Sequence, residues 1–198
     1  MYDIAIIGAG VVGGMIARTL AKYDIRVALL EKEGDVGMGA TKANSAIVHA
    51  GFDAKEGSLK ARFNVRGSEM MPEVTRELGV KYNRNGSLVV AFENERAEVE
   101  AIYERGLKNN VQGIRIVEKD ELFAMEPNLN PDLSCALYAP TGAIICPYEL
   151  CIAAVGNAMD NGAELKLDFE VKSIEKSGDV YRISSDNDTV EAKLVINC

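Results

Sequence analysis

Clustered lysine and arginine are missing from this sequence, as are long apolar runs, paired cysteines and all histidines but one. Basic residues number 22 against 30 acidic ones, for a net charge of −8. Nucleic-acid phosphates are bound by grouped cations, so nucleic acid is excluded as the main partner. An acidic chain still binds an anion locally, through backbone amides and a few placed cations. No apolar run approaches the ~20 residues that span a bilayer. The N-terminus carries neither the basic region nor the cleavage site of a secretory signal. The four cysteines, Cys135, Cys146, Cys151 and Cys198, form no CxxC pair, so zinc or iron–sulfur ligation is not expected and no metal site is assigned. These absences predict a cytoplasmic protein with reduced thiols.

What is present begins at Tyr2: YDIAIIGAGVVGGMIARTLAKYDIRVALLEKE. Residues 4–7 are a β-branched apolar run suited to a strand buried on both faces. Three glycines follow as GxGxxG. Gly8 and Gly10 allow a tight turn with close backbone approach to a pyrophosphate, alongside Val11 and Val12, and Gly13 lets a helix pack on the strand. Val12, Ile16 and Leu20 recur at i, i+4, i+8 and predict the buried stripe of that helix. Residues 27–30 form a second strand. Glu31 ends it about 20 residues past the glycines, where an acid accepts hydrogen bonds from a ribose 2′-OH and disfavours a 2′-phosphate. Strand, glycines, helix, strand and acid in that order make a dinucleotide site. The motif alone does not separate NAD from FAD.

The next stretch, GDVGMGATKANSAIVHAGF (residues 34–52), is rich in small and amide side chains and suits a backbone wrapped around a bulky ligand. With the EK pair at Glu31 and Lys32, GATKANSAIVHAG resembles the FAD-dependent oxidoreductases of the D-amino-acid oxidase superfamily. The nearest resemblance is to the branch of glycerol-3-phosphate and L-2-hydroxyglutarate dehydrogenases. It implies an α/β fold: a glutathione-reductase-like, Rossmann-type FAD-binding domain with part of an inserted α+β substrate domain. It also implies Thr41 and Lys42 near the FAD pyrophosphate, and Asn44, Ser45, Ala46 and Ile47 along the isoalloxazine. His49 would stand beside the flavin on the substrate side. One departure stands out. Aerobic-type glycerol-3-phosphate dehydrogenases often continue into an Arg–Tyr pair, where this sequence reads Phe52, Asp53, Ala54. An acid there weakens a phosphate-binding reading and leaves the FAD reading untouched.

The remainder fits an interrupted domain. Residues 58–78 have helical period, with Leu59, Phe63, Met70, Val74 and Leu78 inward and a kink at Pro72. An Asn-Gly turn then opens a strand in NRNGSLVVAF. Residues 94–110 read as a helix with Val99, Ile102 and Leu107 inward, IRIV as a strand, and KDELFAMEPNL as a short helix stopped by Pro127. Pro147 begins a helix over 148–161 with Gly162 past its end. Residues 164–175, 180–184 and 189–197 are three strands. By the resemblance, residues 1–82 are the first part of the FAD-binding domain, 83–146 part of the substrate domain and 147–198 the returning part, with the Val171 backbone meeting the adenine or simply continuing a strand. The buried-type strand AKLVINC predicts a chain that continues into a longer enzyme. Val195 and Ile196 are expected to be exposed and to favour self-association as a homodimer.

The implied reaction is oxidation of a CH–OH carbon in a small anionic substrate, glycerol 3-phosphate or a 2-hydroxy acid such as L-2-hydroxyglutarate. His49 is either the base that takes the hydroxyl proton or a structural hydrogen-bonding residue. An amine- or amino-acid-oxidising flavoenzyme and a non-catalytic FAD-binding fragment are the alternatives. The electron acceptor stays open among oxygen, a quinone and a protein, a quinone implying a peripheral membrane contact. Cys146 and Cys151 read as buried or spectator thiols.

Overall fold

The computed structural model describes residues 1–198. The chain opens with β1 (Tyr2–Ile7), α1 (Val11–Leu20), β2 (Val27–Leu30) and β3 (Ile47–Val48), then α2 (Leu59–Leu78), β4 (Tyr82–Asn83) and β5 (Ser87–Phe92). It continues through α3 (Arg96–Lys108), β6 (Arg115–Glu118), α4 (Lys119–Met125), β7 (Leu133–Ala139) and β8 (Ala143–Ile145). It closes with α5 (Pro147–Asp160), β9 (Glu164–Lys166), β10 (Ser173–Ser177), β11 (Val180–Ser184) and β12 (Thr189–Asn197). Two compact units result. One comprises Met1–Ser45, Leu78–Val80 and Cys146–Cys198, the other Ala46–Glu77 and Lys81–Ile145. Residues 46–77, assigned from sequence to the first segment, thus pack with the inserted part.

In the first unit a six-stranded sheet runs in the order β10-β11-β12-β1-β2-β9. The pairs β12–β1, β1–β2 and β2–β9 are parallel, while β10–β11 and β11–β12 are antiparallel. Side chains alternate along β1, so Ile4 and Ile6 join one core with Val155 and Ala158 of α5, and Ala5 joins another with Phe169, Ile183 and Val190. Burial on both faces explains why β1 and β2 read as unbroken apolar runs. The predicted α1 stripe holds at Ile16 and Leu20, which pack against the core, and is corrected at Val12, which is 59% exposed; Gly13, Gly14 and Ala17 are the fully buried residues. The helix lies too close to its neighbours for large side chains, since a Cβ on Gly14 would stand 2.9 Å from Val155 Cγ2. Helix α5, expected over 148–161, runs over Pro147–Asp160 and buries Leu150, Cys151, Ala154, Val155 and Ala158. Gly162 follows at φ +95° with its amide on Met159 O at 3.0 Å.

The single strand predicted over 164–175 is instead two. β9 extends the parallel edge, and Asp168 at φ +53° breaks the run. Residues 167–172 then cross the strand ends, with Phe169 N–H on Glu31 O at 2.8 Å and Lys172 N–H on Ser184 O at 2.8 Å, before β10 joins the far edge. Val195 and Ile196 are half-buried rather than exposed, packed on opposite faces of the sheet, and Leu194 is the outward apolar residue at 58% exposure.

The second unit holds two antiparallel three-stranded sheets, β3-β8-β4 and β5-β7-β6. In β7, Cys135, Leu137 and Ala139 share a core with Val99 of α3, while Ala136 shares another with Leu122 of α4. Strand β7 is therefore covered on both faces. Helix α2 runs unbroken through Pro72 and buries Ala61, Ser68, Val74 and Thr75, whereas Leu59, Phe63 and Met70, expected inward, are more than half exposed. In α3 Gly106 is buried where Leu107 was expected.

All four cysteines are free, Cys135 and Cys151 buried and Cys146 and Cys198 exposed. A thiol reagent is expected to modify only the two exposed cysteines of the native protein, read by mass spectrometry. Modification of Cys151 as fast as Cys146 would contradict this packing.

Candidate functional site

The glycine loop begins where β1 ends, at the sheet position where the connections diverge to either side, the usual location of a ligand crevice in α/β sheets. Gly8 takes φ +98°, a left-handed conformation that glycine adopts without steric cost. A Cβ there would also come within 2.7 Å of Cys198 O. A Cβ on Gly13 would collide with the Gly8 carbonyl oxygen, so both positions require glycine for space.

Ala9, between the first two glycines, is fixed at both backbone atoms. Its N–H donates to Glu31 Oε2 at 2.8 Å. Its carbonyl accepts from Gly37 N–H at 3.0 Å and from the Cys151 thiol at 3.4 Å. Burial, with the Glu31 and Asp35 carboxylates adding to it, pushes the Cys151 thiol up to about 11. The thiol therefore keeps its proton and its donor role at neutral pH. The stability it contributes is complete below the ordinary thiol value and is lost as pH rises toward 11. A Cys151→Ala variant is expected to lose part of the wild-type drop in melting temperature between pH 9 and 11. An identical alkaline profile would remove Cys151 from this role.

Glu31 is 8% exposed. Its Oε1 accepts the Glu33 amide at 3.0 Å, so both carboxylate oxygens already hold protein amides. A carboxylate has about four acceptor positions, which leaves capacity for ribose hydroxyls. Helix α1 starts at Val11, whose N–H donates to Thr41 Oγ1 at 3.0 Å. Thr41 thus caps from a distant loop the helix end whose amides and dipole favour an anion. That loop is tied down by Asn44 Nδ2 on the Ala40 and Thr41 carbonyls, at 3.1 and 2.8 Å. The Tyr148 hydroxyl on Asp35 at 2.8 Å fastens it further and holds the Asp35 carboxyl below its usual range.

These groups surround a cavity of about 850 Å³, within the ~300–1,000 Å³ of cofactor and ligand sites. Gly8, Gly10, Val11, Val12, Gly13, Glu31, Lys32, Thr41, Asn44 and Val171 all line it. Lys42, Ser45, Ala46, Ile47 and His49 are not among the lining residues. Lys42 is exposed with Nζ on Met38 Sδ at 3.5 Å, and Ser45 is exposed. Ala46 takes φ +62°, a strained conformation for a non-glycine residue, and its carbonyl accepts from Ile145 N–H at 3.0 Å. Ile47 pairs with Ile144 across β3 and β8. His49 is exposed just past β3. Phe169 and Glu170 line the cavity without having been expected to, because the crossing segment that carries them read as strand. The glycines without room for a Cβ, the capped helix end and a carboxylate with spare acceptor sites fit the pyrophosphate and ribose of a dinucleotide such as FAD.

Asp53 is exposed in a surface depression lined by Lys55, Arg105 and Lys108 and also by Glu56 and Glu104, where solvent and salt screen its charge. Asp53→Asn is expected to leave kcat/KM within about twofold for any anionic substrate, and a tenfold gain on a phosphate substrate would contradict this.

The family described as FAD dependent oxidoreductase matches residues 3–198. Glycerol 3-phosphate dehydrogenase of Caloramator mitchellensis is 49% identical over 199 residues, covering 100% of this chain and 42% of that protein. Mitochondrial L-2-hydroxyglutarate dehydrogenase of Pongo abelii is 34% identical over 177 residues, covering 88% of this chain and 42% of that protein. The structure of L-alpha-glycerophosphate oxidase from Mycoplasma pneumoniae, dithionite-reduced with FAD bound, superposes with a TM-score of 0.92 at 28% identity, covering 98% of this chain and 53% of that one. The chain thus spans less than half the length of these curated relatives. No helix is long and apolar enough to cross a membrane.

Proposed function

We propose a catalytic role for this chain, which belongs to the family of FAD-dependent oxidoreductases: it is the cofactor-binding part, with part of the substrate domain, of an enzyme that oxidises the CH–OH carbon of glycerol 3-phosphate. The observation that carries the substrate is 49% identity along the whole chain with a glycerol 3-phosphate dehydrogenase. The relatives' greater length supports a protein in which further chain completes the substrate wall and supplies cations for the phosphate.

FAD bound in the cavity supplies the two-electron, hydride-accepting chemistry. The α1 amides and the Thr41 hydroxyl would hold the pyrophosphate, with Lys32 and Lys42 lending positive charge. Glu31 would bind ribose with its spare acceptor positions, and the Val171 backbone, which also lines the cavity, would serve the adenine. Asn44, which lines the cavity, and the following Ser45, Ala46 and Ile47 would serve the isoalloxazine. His49 would take the hydroxyl proton of the substrate at an imidazole nitrogen.

L-2-hydroxyglutarate is the second reading, favoured by the absence of an Arg–Tyr pair at residues 52–54 and by the 34% identical relative. Steady-state turnover by enzyme of the relatives' length, with an artificial electron acceptor, separates the two. The expected result is a higher kcat/KM for glycerol 3-phosphate than for L-2-hydroxyglutarate or any amino acid. Turnover of an amino acid with none of either hydroxy compound would overturn the CH–OH assignment.

A further inference from the structure

The imidazole of His49 is exposed and has no hydrogen bond to orient it. A ring without a side-chain partner takes its position from the backbone that carries it. That backbone is held on both sides. Before it, Ile47 and Val48 pair with Ile144 and Ala143. After it, four carbonyls within six residues each accept from a side chain. Asn64 Nδ2 of α2 donates to His49 O at 3.0 Å, and Arg105 Nη1 of α3 donates to Asp53 O at 3.2 Å. Asn109 Nδ2, just past α3, bridges Gly51 O at 3.0 Å and Ala54 O at 2.8 Å.

Asn109 is the buried member of this set, at 8% exposure, and both its amide hydrogens are committed to the turn. The turn also packs closely on α2, because Gly51 sits at φ +109° and a Cβ there would stand only 2.5 Å from Val65 Cγ2. We infer that Asn109 is a positioning residue for His49: by bridging the Gly51 and Ala54 carbonyls it fixes the turn that sets where the imidazole stands, with Asn64 as the second anchor. The inference rests on the reading of His49 as the proton acceptor. A displacement of about 1 Å at a reacting group costs up to ~100-fold in rate, which is the scale on which loss of this bridge would be felt.

The test is a double-mutant cycle in FAD-loaded enzyme of the relatives' length. Asn109→Ala alone is expected to lower kcat by roughly tenfold to a hundredfold. Flavin content, KM and the position of the acid limb of the pH profile should stay near wild type. Added to His49→Ala, the same change is expected to alter kcat by less than about twofold, because a residue that acts through His49 has nothing left to position. An equal loss in both backgrounds, the mark of a merely structural role, would overturn the inference and leave the His49 reading intact. Wild-type kcat in His49→Ala alone would take both down. Should Asn109→Ala not fold, the cycle with half-buried Asn64→Ala decides by the same criterion.

Discussion

Alanine in place of Gly13 is expected to yield a protein that folds but does not retain FAD. The added methyl would meet the Gly8 carbonyl oxygen, and neither side can yield cheaply. One side is the first turn of α1, the other a residue held at φ +98° with its amide on Leu30 O at 2.8 Å. Forcing a methylene into a packed site costs about 1–3 kcal/mol. Here the displaced atoms are the loop and helix amides that would face the pyrophosphate. The expected outcome is an affinity for FAD lower by about a hundredfold, measured by titrating apoprotein with FAD, with a modest drop in melting temperature. Wild-type affinity would place the pyrophosphate somewhere other than this turn.

Glu31→Ala is expected to be nearly as severe, for a different reason. Removing the carboxylate leaves the Ala9 and Glu33 amides without acceptors, and a hydrogen bond to a charged group is worth about 1.5–3 kcal/mol. The loop between the glycines would lose its tether on the ribose side, retaining only Gly37 and Cys151 on the Ala9 carbonyl. Glu31→Gln keeps one acceptor oxygen and is expected to fall between. Both variants should weaken FAD without shifting the visible spectrum of whatever flavin remains, because the isoalloxazine is not their contact. A shifted spectrum with unchanged affinity would contradict the assignment.

The glycine loop could be read because one of its constraints is local: Gly8 and Gly13 meet across five residues, and Glu31 ends the adjacent strand. Helix faces were harder. Residue size was taken as the sign of burial, yet α1 buries Gly13, Gly14 and Ala17 where helix, strand and α5 crowd together. Helix α2 turns Ala61 and Ser68 inward and leaves Leu59 and Phe63 outside. Strand β7 went unread for a related reason. Covered on both faces, it lacks the apolar–polar alternation that marks a half-buried strand, and small residues such as Cys135 and Ala136 fill its centre. The break at Asp168 left no signal, since an aspartate in a left-handed conformation is tolerated without a glycine to mark it.

Long-range partners were not readable at all. The Cys151 thiol lies 142 positions from the Ala9 carbonyl it meets, and Asn109 lies 58 and 55 positions from Gly51 and Ala54. No periodicity links residues at such separations. Only the fold brings the thiol beneath the glycine loop and the amide beneath the histidine turn.

The most direct measurement is anaerobic mixing of purified enzyme of the relatives' length with glycerol 3-phosphate, followed by the visible absorbance of its oxidised flavin, which is lost when the flavin accepts the hydride. The account predicts a yellow protein that releases FAD on denaturation and bleaches on addition of glycerol 3-phosphate, with bleaching slowed in His49→Ala and colour lost in Gly13→Ala. A colourless protein that binds NAD and ignores FAD, or a yellow one that glycerol 3-phosphate leaves unbleached, would contradict it.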